Sequence, residues 1–402
     1  MTPKLWRALA RLGRLLDLVR LRFTPAGQLI LVCLAVSAAL GVDTERGMAY
    51  QSFTFLLALI SLSMLCSVFF RARFEAGWRL PRFGTAGQPL PCSITLRNTG
   101  NRLQRGLSAA PELEDGEAVP ERALPDLSAG AACEVEAGLL PRRRGKLRLK
   151  GVRVAKPDPF GLFRAFRRER AEASVLVLPR RYPVPGLSLP GTRRYQHGGV
   201  AAASSVGESG EFVSMRDYRP GDPLRKIHWR SWAKAGRPIV KEYQDEYFVR
   251  HALALDTFGP EGPVFEEAVS VAASFAAGLT TQDSLLDLLF VGSRTYCFTA
   301  GRGLGSPDSL LEVLACVEPC RDKTFEELQH AIIRRSASIS GCVCILLGFD
   351  EERSGFIRQL RAIGVPTLAL VVVGPDAPAF EEGNGILRIE VGRAAEGLAK
   401  IP

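Results

Sequence analysis

One short stretch of this chain gathers most of the side chains able to do chemistry. Tyr218, Arg219, Gly221, Asp222, Arg225 and Trp229 follow one another closely, with His228 and Ser231 beside them. Such a set is open to three uses. As a brace, Asp222-Pro223 begins a turn, because proline fixes φ and the aspartate oxygen accepts from backbone N–H groups two residues on. Arg225 then pairs with Asp217 or Asp222, while Ile227 and Trp229 pack beneath. As a recognition surface, Arg219, Arg225, Arg230 and Trp229 face an acidic partner, since Trp and Arg are frequent interface anchors. As a hydrolase, Asp222, His228 and Ser231 form a triad. The segment reads as extended, however, and alternation in a strand persisting past Trp229 turns Ser231 away from His228. No G-x-S-x-G elbow occurs, and the remaining histidines are His197, His251 and His330. No catalytic residue is therefore expected.

The elements that position this block begin with a membrane segment. At 402 residues the chain exceeds one typical core, and 47% hydrophobic with 23% charged residues is ordinary for a folded protein. A net charge of +10 usually prompts a nucleic-acid reading, but its distribution argues for a bilayer and against nucleic acid. Lys4, Arg7, Arg11, Arg14, Arg20 and Arg22 precede an uncharged run at 26–42; Arg71, Arg73, Arg79 and Arg82 follow a second at 49–70. Basic residues at both outer ends of an apolar pair follow the positive-inside rule. The second run is long enough to cross a hydrocarbon core of about 30 Å; the first is at the short end, weakened by Gln28 and Ser37. The link carries Asp43, Glu45 and Arg46. Its shortness favours a helical hairpin over a signal peptide plus anchor, with both termini cytoplasmic. A farther cluster, Arg142-Arg143-Arg144 with Arg164, Arg167, Arg168 and Arg170, faces anionic lipid or solvent. The nine cysteines include Cys316 and Cys320, spaced C-x3-C without a second pair or nearby histidine, so neither a zinc site nor a disulfide framework is indicated.

After the apolar runs the pattern takes period two. Cys92, Ile94 and Leu96 alternate with Ser93, Thr95 and Arg97, and Asn98-Thr99-Gly100-Asn101 supplies a turn. Leu147, Leu149, Val152 and Val154 continue the theme, and 175–178 is a short apolar run. Short strands with Gly, Pro and Asn turns read as a small antiparallel sandwich, to which the Pro-, Glu- and Gly-rich stretch 104–130 contributes little. Residues 179–210 read as a mobile connector, Pro-rich and then Gly- and Ser-rich; a phosphate-cradling glycine loop lacks its strand–loop–helix context and Lys-Ser/Thr ending. From Val249 strands and helices alternate. Apolar strands are expected at 252–255, 285–291, 342–348 and 367–373, and helices open at Pro263, at 309–317, at 325–333 and around 355–363. In the first helix Phe265, Ala268, Ala272, Phe275 and Leu279 form the buried stripe. Continuous apolar strands separated by helices imply a parallel sheet covered on both faces.

Tyr218, Gly221-Asp222, Arg225, Ile227 and Trp229 resemble the signature of the family called domain of unknown function 58. Arg144-Gly145 and Asp158-Pro159-Phe160-Gly161-Leu162-Phe163 fit it too, over roughly residues 75–400. With the residue pattern above, the chain is expected to hold a basic cytoplasmic N-terminus (1–25), a two-helix transmembrane hairpin (26–72) and a β-sandwich domain (73–180). A linker with the signature segment (181–248) and a von Willebrand factor A-like α/β domain with a mainly parallel sheet (249–402) follow. The resemblance implies a bacterial inner-membrane, multi-pass protein with cytoplasmic domains, acting without enzymatic activity as a scaffold or adaptor for a MoxR-type AAA+ ATPase. Some relatives are encoded beside transglutaminase-like membrane proteins, which makes such a protein a further candidate partner. In von Willebrand A domains an Asp-x-Ser-x-Ser loop, a distant Thr and a later Asp hold a cation. The matching loop is Asp256-Thr257-Phe258-Gly259-Pro260, with Asp350 as the later carboxylate and Thr280 or Thr281 as the hydroxyl. Phe258 and Pro260 offer no side-chain oxygen to a hard cation, so Mg2+ or Ca2+ is expected to bind weakly or not at all. A cation-dependent ligand-binding module is the alternative function, and a hydrolase using the signature block the next.

Overall fold

In the computed structural model of the chain, the residues described are 22–40, 47–68, 72–184, 194–195, 212–222, 224, 227–243, 247–278, 284–301, 306–378 and 380–401. Lys4 to Arg20, the link with Asp43, Glu45 and Arg46, and the Gly- and Ser-rich part of the connector lie outside them, as do Arg71, Arg225, Leu279, Thr280 and Thr281. The chain divides into two compact units, Met1–Val177 and Leu178–Pro402.

The first unit opens with two apolar helices, α1 (Pro25–Leu40) and α2 (Gly47–Val68), which contact one another. Pro25 suits the first helical position, where its missing N–H costs nothing. Gly47–Ser67, with mean hydropathy 1.6, is long and apolar enough to cross a membrane by length and composition; α1 is shorter. Most of α2 is exposed, and its buried positions, Ile60 and Ser63, are three residues apart on one face.

Eight strands follow: β1 (Phe74–Arg79), β2 (Phe83–Thr85), β3 (Ser93–Asn98), β4 (Ser108–Leu113), β5 (Arg122–Ala123), β6 (Ala132–Glu136), β7 (Gly145–Pro157) and β8 (Arg164–Leu178). They form a sheet β1-β3-β6 and a sheet β2-β8-β7-β4-β5. Ile94 and Leu96 from the first sheet share one core with Ala109, Leu149, Val152, Val154 and Val175 from the second. The period-two pattern is thus read out as one buried and one solvated face per strand. Stretch 104–130 departs from expectation. It supplies β4, paired with β5 and β7, and Leu107, Ala109, Ala110, Leu113, Leu124 and Leu127 are all buried. Ala109-Ala110-Pro111 lacks the bulk and alternation that announce a strand, because a strand between two neighbours can be buried through small residues on both faces.

The second unit is mixed α/β. Its main strands are β12 (Tyr247–Leu255), β13 (Ser284–Val291), β14 (Thr295–Ala300), β15 (Gly341–Leu346), β16 (Thr367–Val373) and β17 (Ile386–Glu390), ordered β14-β13-β12-β15-β16-β17. Every pairing is parallel except β13 with β14. A short β9 (Arg194–Tyr195) pairs with the start of β12. A separate hairpin joins β10 (Phe212–Asp217) to β11 (Ile239–Tyr243) around α3 (Trp229–Ala235). Helices α4 (Pro263–Gly278), α5 (Pro307–Ala315), α6 (Phe325–Ile333), α7 (Glu351–Ala362) and α8 (Ala394–Leu398) complete the unit. One face of the sheet, with Ala252, Ala254, Cys344 and Val371, packs on Phe325, Leu328 and Ile332 of α6 and Phe356 and Leu360 of α7. Leu253 and Leu255 point the other way, toward the face that α4 covers. Phe265, Ala268, Ala272 and Phe275 of α4 are buried as their spacing requires.

Candidate functional site

The signature block is a hairpin bent around one aspartate. β10 and β11 pair with Arg216 opposite Val240 and Asp217 opposite Ile239. Tyr218 then donates its backbone N–H to the carbonyl of Pro238 at 3.0 Å, and Asp222 donates its own to the carbonyl of Arg219 at 3.0 Å. Gly221 closes this turn at φ +106°, a conformation side chains other than glycine rarely adopt. Arg216 grips the Asp222 carboxylate with both terminal nitrogens, at 2.7 and 2.8 Å, and the Arg219 N–H donates to it at 2.8 Å. The Arg216 hydrogen bonds first, and the Arg219 N–H second, hold the Asp222 carboxyl down to about 2.

Of the expectations for this block, the packing of Trp229 is overturned. Arg225, expected to pair with Asp217 or Asp222, lies outside the described residues; among those described, Arg216 bonds Asp222 and Arg237 pairs with Asp217 at 3.0 Å. Arg216 reaches Asp222 from the end of β10, six residues earlier in the chain, where the turn at Gly221 folds the aspartate back. The brace reading expects Trp229 beneath the turn with Ile227. Ile227 is buried, bridging to Val240, whereas Trp229 is 65% exposed. The extended segment stops at His228, whose N–H reaches the carbonyl of Ile239 at 2.8 Å, and α3 starts at Trp229. Helical spacing then stacks Trp229 on Trp232, ring centroids 5.2 Å apart at 19°. It also brings His228 and Ser231 together, Nδ1 to Oγ at 2.6 Å, where a strand would have separated them. Among the described residues no carboxylate is bonded to the His228 ring. Arg219 and Arg230 are exposed, as are Met215 and Leu224. Arg225 lies outside the described residues.

A second cluster occupies the carboxyl ends of β12 and β15, where the strand order reverses and open α/β sheets place their ligand crevice. Asp256 is fully buried. Its Oδ1 accepts the Phe258 N–H at 2.9 Å, and its Oδ2 accepts the Leu347 N–H at 3.0 Å and Nε of Arg353 at 2.6 Å. Arg353 also bonds Asp350 and donates to the Phe258 carbonyl at 3.1 Å, with its guanidinium 5.0 Å from the centre of the Phe325 ring. Thr257 is buried and donates its hydroxyl to the Val291 carbonyl at 2.6 Å. Both carboxylates named as metal ligands therefore face one guanidinium, and Phe258 adds no side-chain oxygen. This donor set does not fit a divalent cation. Sequence reasoning named Asp256 and Asp350 but missed Arg353, whose only local signal is its spacing of three from the helix-capping Asp350.

Asp158 organises the other family-like motif. Its carboxylate accepts the N–H groups of Leu162 and Phe163, both at 2.7 Å, and of Phe160 at 3.0 Å. The tight tip so formed between β7 and β8 holds the start of α1. Thr24 donates its N–H to the Leu162 carbonyl at 3.0 Å and its hydroxyl to that of Gly161 at 2.5 Å, and Phe23 meets Phe163 edge to face. A Cβ on Gly27 would lie 2.1 Å from the Leu162 oxygen, so only glycine permits this approach.

Residues 214–377, from the signature hairpin through the parallel strands, match the family described as Protein of unknown function DUF58. An uncharacterized protein of Bacillus subtilis (strain 168), YeaD, is 24% identical over 278 residues, 67% of each chain. Among solved structures, the CARDB domain of the PF1109 protein from Pyrococcus furiosus is 12% identical. It covers 27% of this chain and 91% of its own, with a TM-score of 0.21. A beta-glucosidase from Listeria innocua is 16% identical, covering 26% of this chain and 17% of its own, with a TM-score of 0.15. Nothing about the activity of this chain follows from either likeness.

Proposed function

From the match of residues 214–377 to DUF58, we propose a non-enzymatic, membrane-anchored scaffold whose signature hairpin docks an acidic partner protein. The observation that carries this reading is Trp229: a large aromatic, 65% exposed, stacked on Trp232 and flanked by Arg230. A tryptophan exposed on a braced hairpin leaves apolar area to be covered by something else, and Trp with Arg is the composition of an interface anchor. The Arg216–Asp222 grip stiffens the support beneath it, which lowers the ordering cost of association. The partner implied by the family resemblance is a MoxR-type AAA+ ATPase, with a transglutaminase-like membrane protein as a further candidate.

In this proposal α1 and α2 form a hairpin in the bacterial inner membrane, with both units cytoplasmic. Support comes from the apolar length of α2 and from Arg22, Arg73, Arg79 and Arg82 beyond the helix ends. The first unit is read as a β-sandwich, supported by the core its two sheets share. The second is read as von Willebrand factor A-like, supported by the order β14-β13-β12-β15-β16-β17 with β14 alone antiparallel among these strands. A cation-dependent module is disfavoured by Arg353, and a hydrolase by the lack of a carboxylate bonded to the His228 ring among the described residues.

The test is capture of the purified ATPase by the full chain in membranes. Trp229→Ala combined with Arg219→Ala is expected to weaken binding by about thirtyfold or more, with thermal unfolding little changed. Undiminished affinity in the folded double variant overturns the docking role.

A further inference from the structure

A cavity of about 620 Å3 lies in the first unit, between the last turn of α2 and two loops of the sheets. Cys66 and Ser67 form its helical wall, and Arg102, Gln104, Lys156 and Asp158 line the loop side. Lys156 extends along this wall and donates to the Gln104 side chain at 3.3 Å. Arg102 is exposed at the rim, and so is Arg73, whose carbonyl accepts the Thr99 N–H beside the cavity. Three backbone N–H groups hold the Asp158 carboxylate, which keeps one negative charge against the two cations Arg102 and Lys156. The carboxyl end of α2 adds only about half a negative charge. The balance of the cavity is basic. Two large apolar residues flank it on the same loops, Leu103 at 43% exposure and Phe160 at 46%.

We propose that this cavity binds the phosphate of an anionic lipid headgroup, with Arg102 and Lys156 as its cationic contacts. Leu103 and Phe160 dip toward the acyl region beside it. The proposal rests on the membrane reading of α2. A helix that spans the bilayer brings its last turn, and hence Cys66 and Ser67, to the headgroup level. Basic side chains at that level attract anionic lipid, and neighbouring apolar side chains favour the interface over bulk water. Inorganic phosphate offers the same charged group without the acyl chains, so the two sources can be told apart.

Cys66 reports on the cavity from inside. The full chain is reconstituted in phosphatidylcholine vesicles with and without phosphatidylglycerol, and maleimide modification of Cys66 is followed by mass spectrometry. Phosphatidylglycerol is expected to slow modification of Cys66 several-fold. Arg102→Ala with Lys156→Ala weakens that protection by roughly thirtyfold in lipid concentration, at about fivefold per cation, while Lys156→Arg retains it. Equal modification in both lipid mixtures overturns the proposal. So does protection unchanged in a double variant whose melting curve matches the parent. Full protection by inorganic phosphate in neutral detergent overturns the lipid assignment. Release of the full chain from membranes by alkaline extraction would overturn the membrane reading itself, a result separate from the labelling.

Discussion

Arg353 reaches across 97 positions of the chain to donate its Nε to Oδ2 of Asp256 at 2.6 Å. The acceptor is fully buried and the donor 8% exposed, so the pair is removed from solvent screening. Breaking a buried pair by removing one member leaves an uncompensated charge and typically costs about 3–5 kcal/mol. Arg353→Leu is therefore expected to lower the midpoint of chemical unfolding by an amount in that range. Asp256→Asn together with Arg353→Leu is expected to cost less than Arg353→Leu alone, because no charge is then stranded. Equal loss in the single and double variants would show that the arginine acts through packing on Phe325 instead.

The same guanidinium governs cation sensitivity. Millimolar Mg2+ or Ca2+ is expected to leave the melting temperature of the parent unchanged, since the internal cation already occupies both carboxylates. A specific cation at a hundredfold excess over its dissociation constant would add about 2.7 kcal/mol, well within calorimetric reach. A rise in melting temperature abolished by Asp256→Ala would restore the metal-dependent alternative.

Ile227 and Trp229 separate support from contact. Ile227→Ala removes a buried side chain and is expected to cost about 2–4 kcal/mol of stability. Trp229→Ala exposes no cavity, since the ring is 65% exposed, and is expected to cost under about 1 kcal/mol. Thermal unfolding of the two variants, measured side by side, checks the ordering; a larger loss for Trp229→Ala would return that ring to the core.

Stability should fall in two steps on acidification. Burial lowers the His251 imidazole to about 4, and among the described residues its Nδ1 has no hydrogen-bond partner. The unfolded chain binds this proton more readily, so the contribution of His251 is complete above about pH 6.5 and declines toward pH 4. The decline amounts to at most about 3 kcal/mol. Asp222, held at about 2 by Arg216, adds a second loss as pH drops from its ordinary value near 4 toward 2. Urea unfolding across pH 3 to 8 should show the upper step flattened by His251→Leu, and an unflattened profile would assign it elsewhere.

Gly27→Ala puts a methyl group where the Leu162 carbonyl lies, and no flexible side chain can move aside to absorb it. The Thr24 amide, bonded to that carbonyl, is expected to exchange its hydrogen faster in the variant, as is the amide of Gln28. Unaltered protection at both amides would mean that the β7–β8 tip moves with the helix.

The periodic parts of the chain were legible because burial repeats. The spans of α6 and β16 follow directly from sequence, and α1, α2, β13 and β15 differ by a few end residues. β4 was not legible, since Ala109, Ala110 and Pro111 bury little bulk each. The helical turn at Trp229 was missed because Ile227, His228 and Trp229 favour a strand by composition; the hydrogen bond from His228 to Ile239 ends the strand there. At the candidate site the residue types announced a braced turn, but Arg216, six residues before Asp222, was not read as its partner. Arg353 was invisible because its contact is non-local: a pair 97 residues apart exists only once β12 and β15 lie side by side.

The joint between α1 and the β7–β8 tip has a mechanical consequence. Thr24, Phe23 and Gly27 are fastened to Gly161, Leu162 and Phe163 by hydrogen bonds, a ring contact and backbone touching backbone. A pull on the β sheets of this unit is therefore carried into α1 through a packed bearing, in addition to the peptide chain that leaves α2. Two attachment points resist rotation where a single tether would swivel, so torque on these sheets is passed to the apolar helices as tilt.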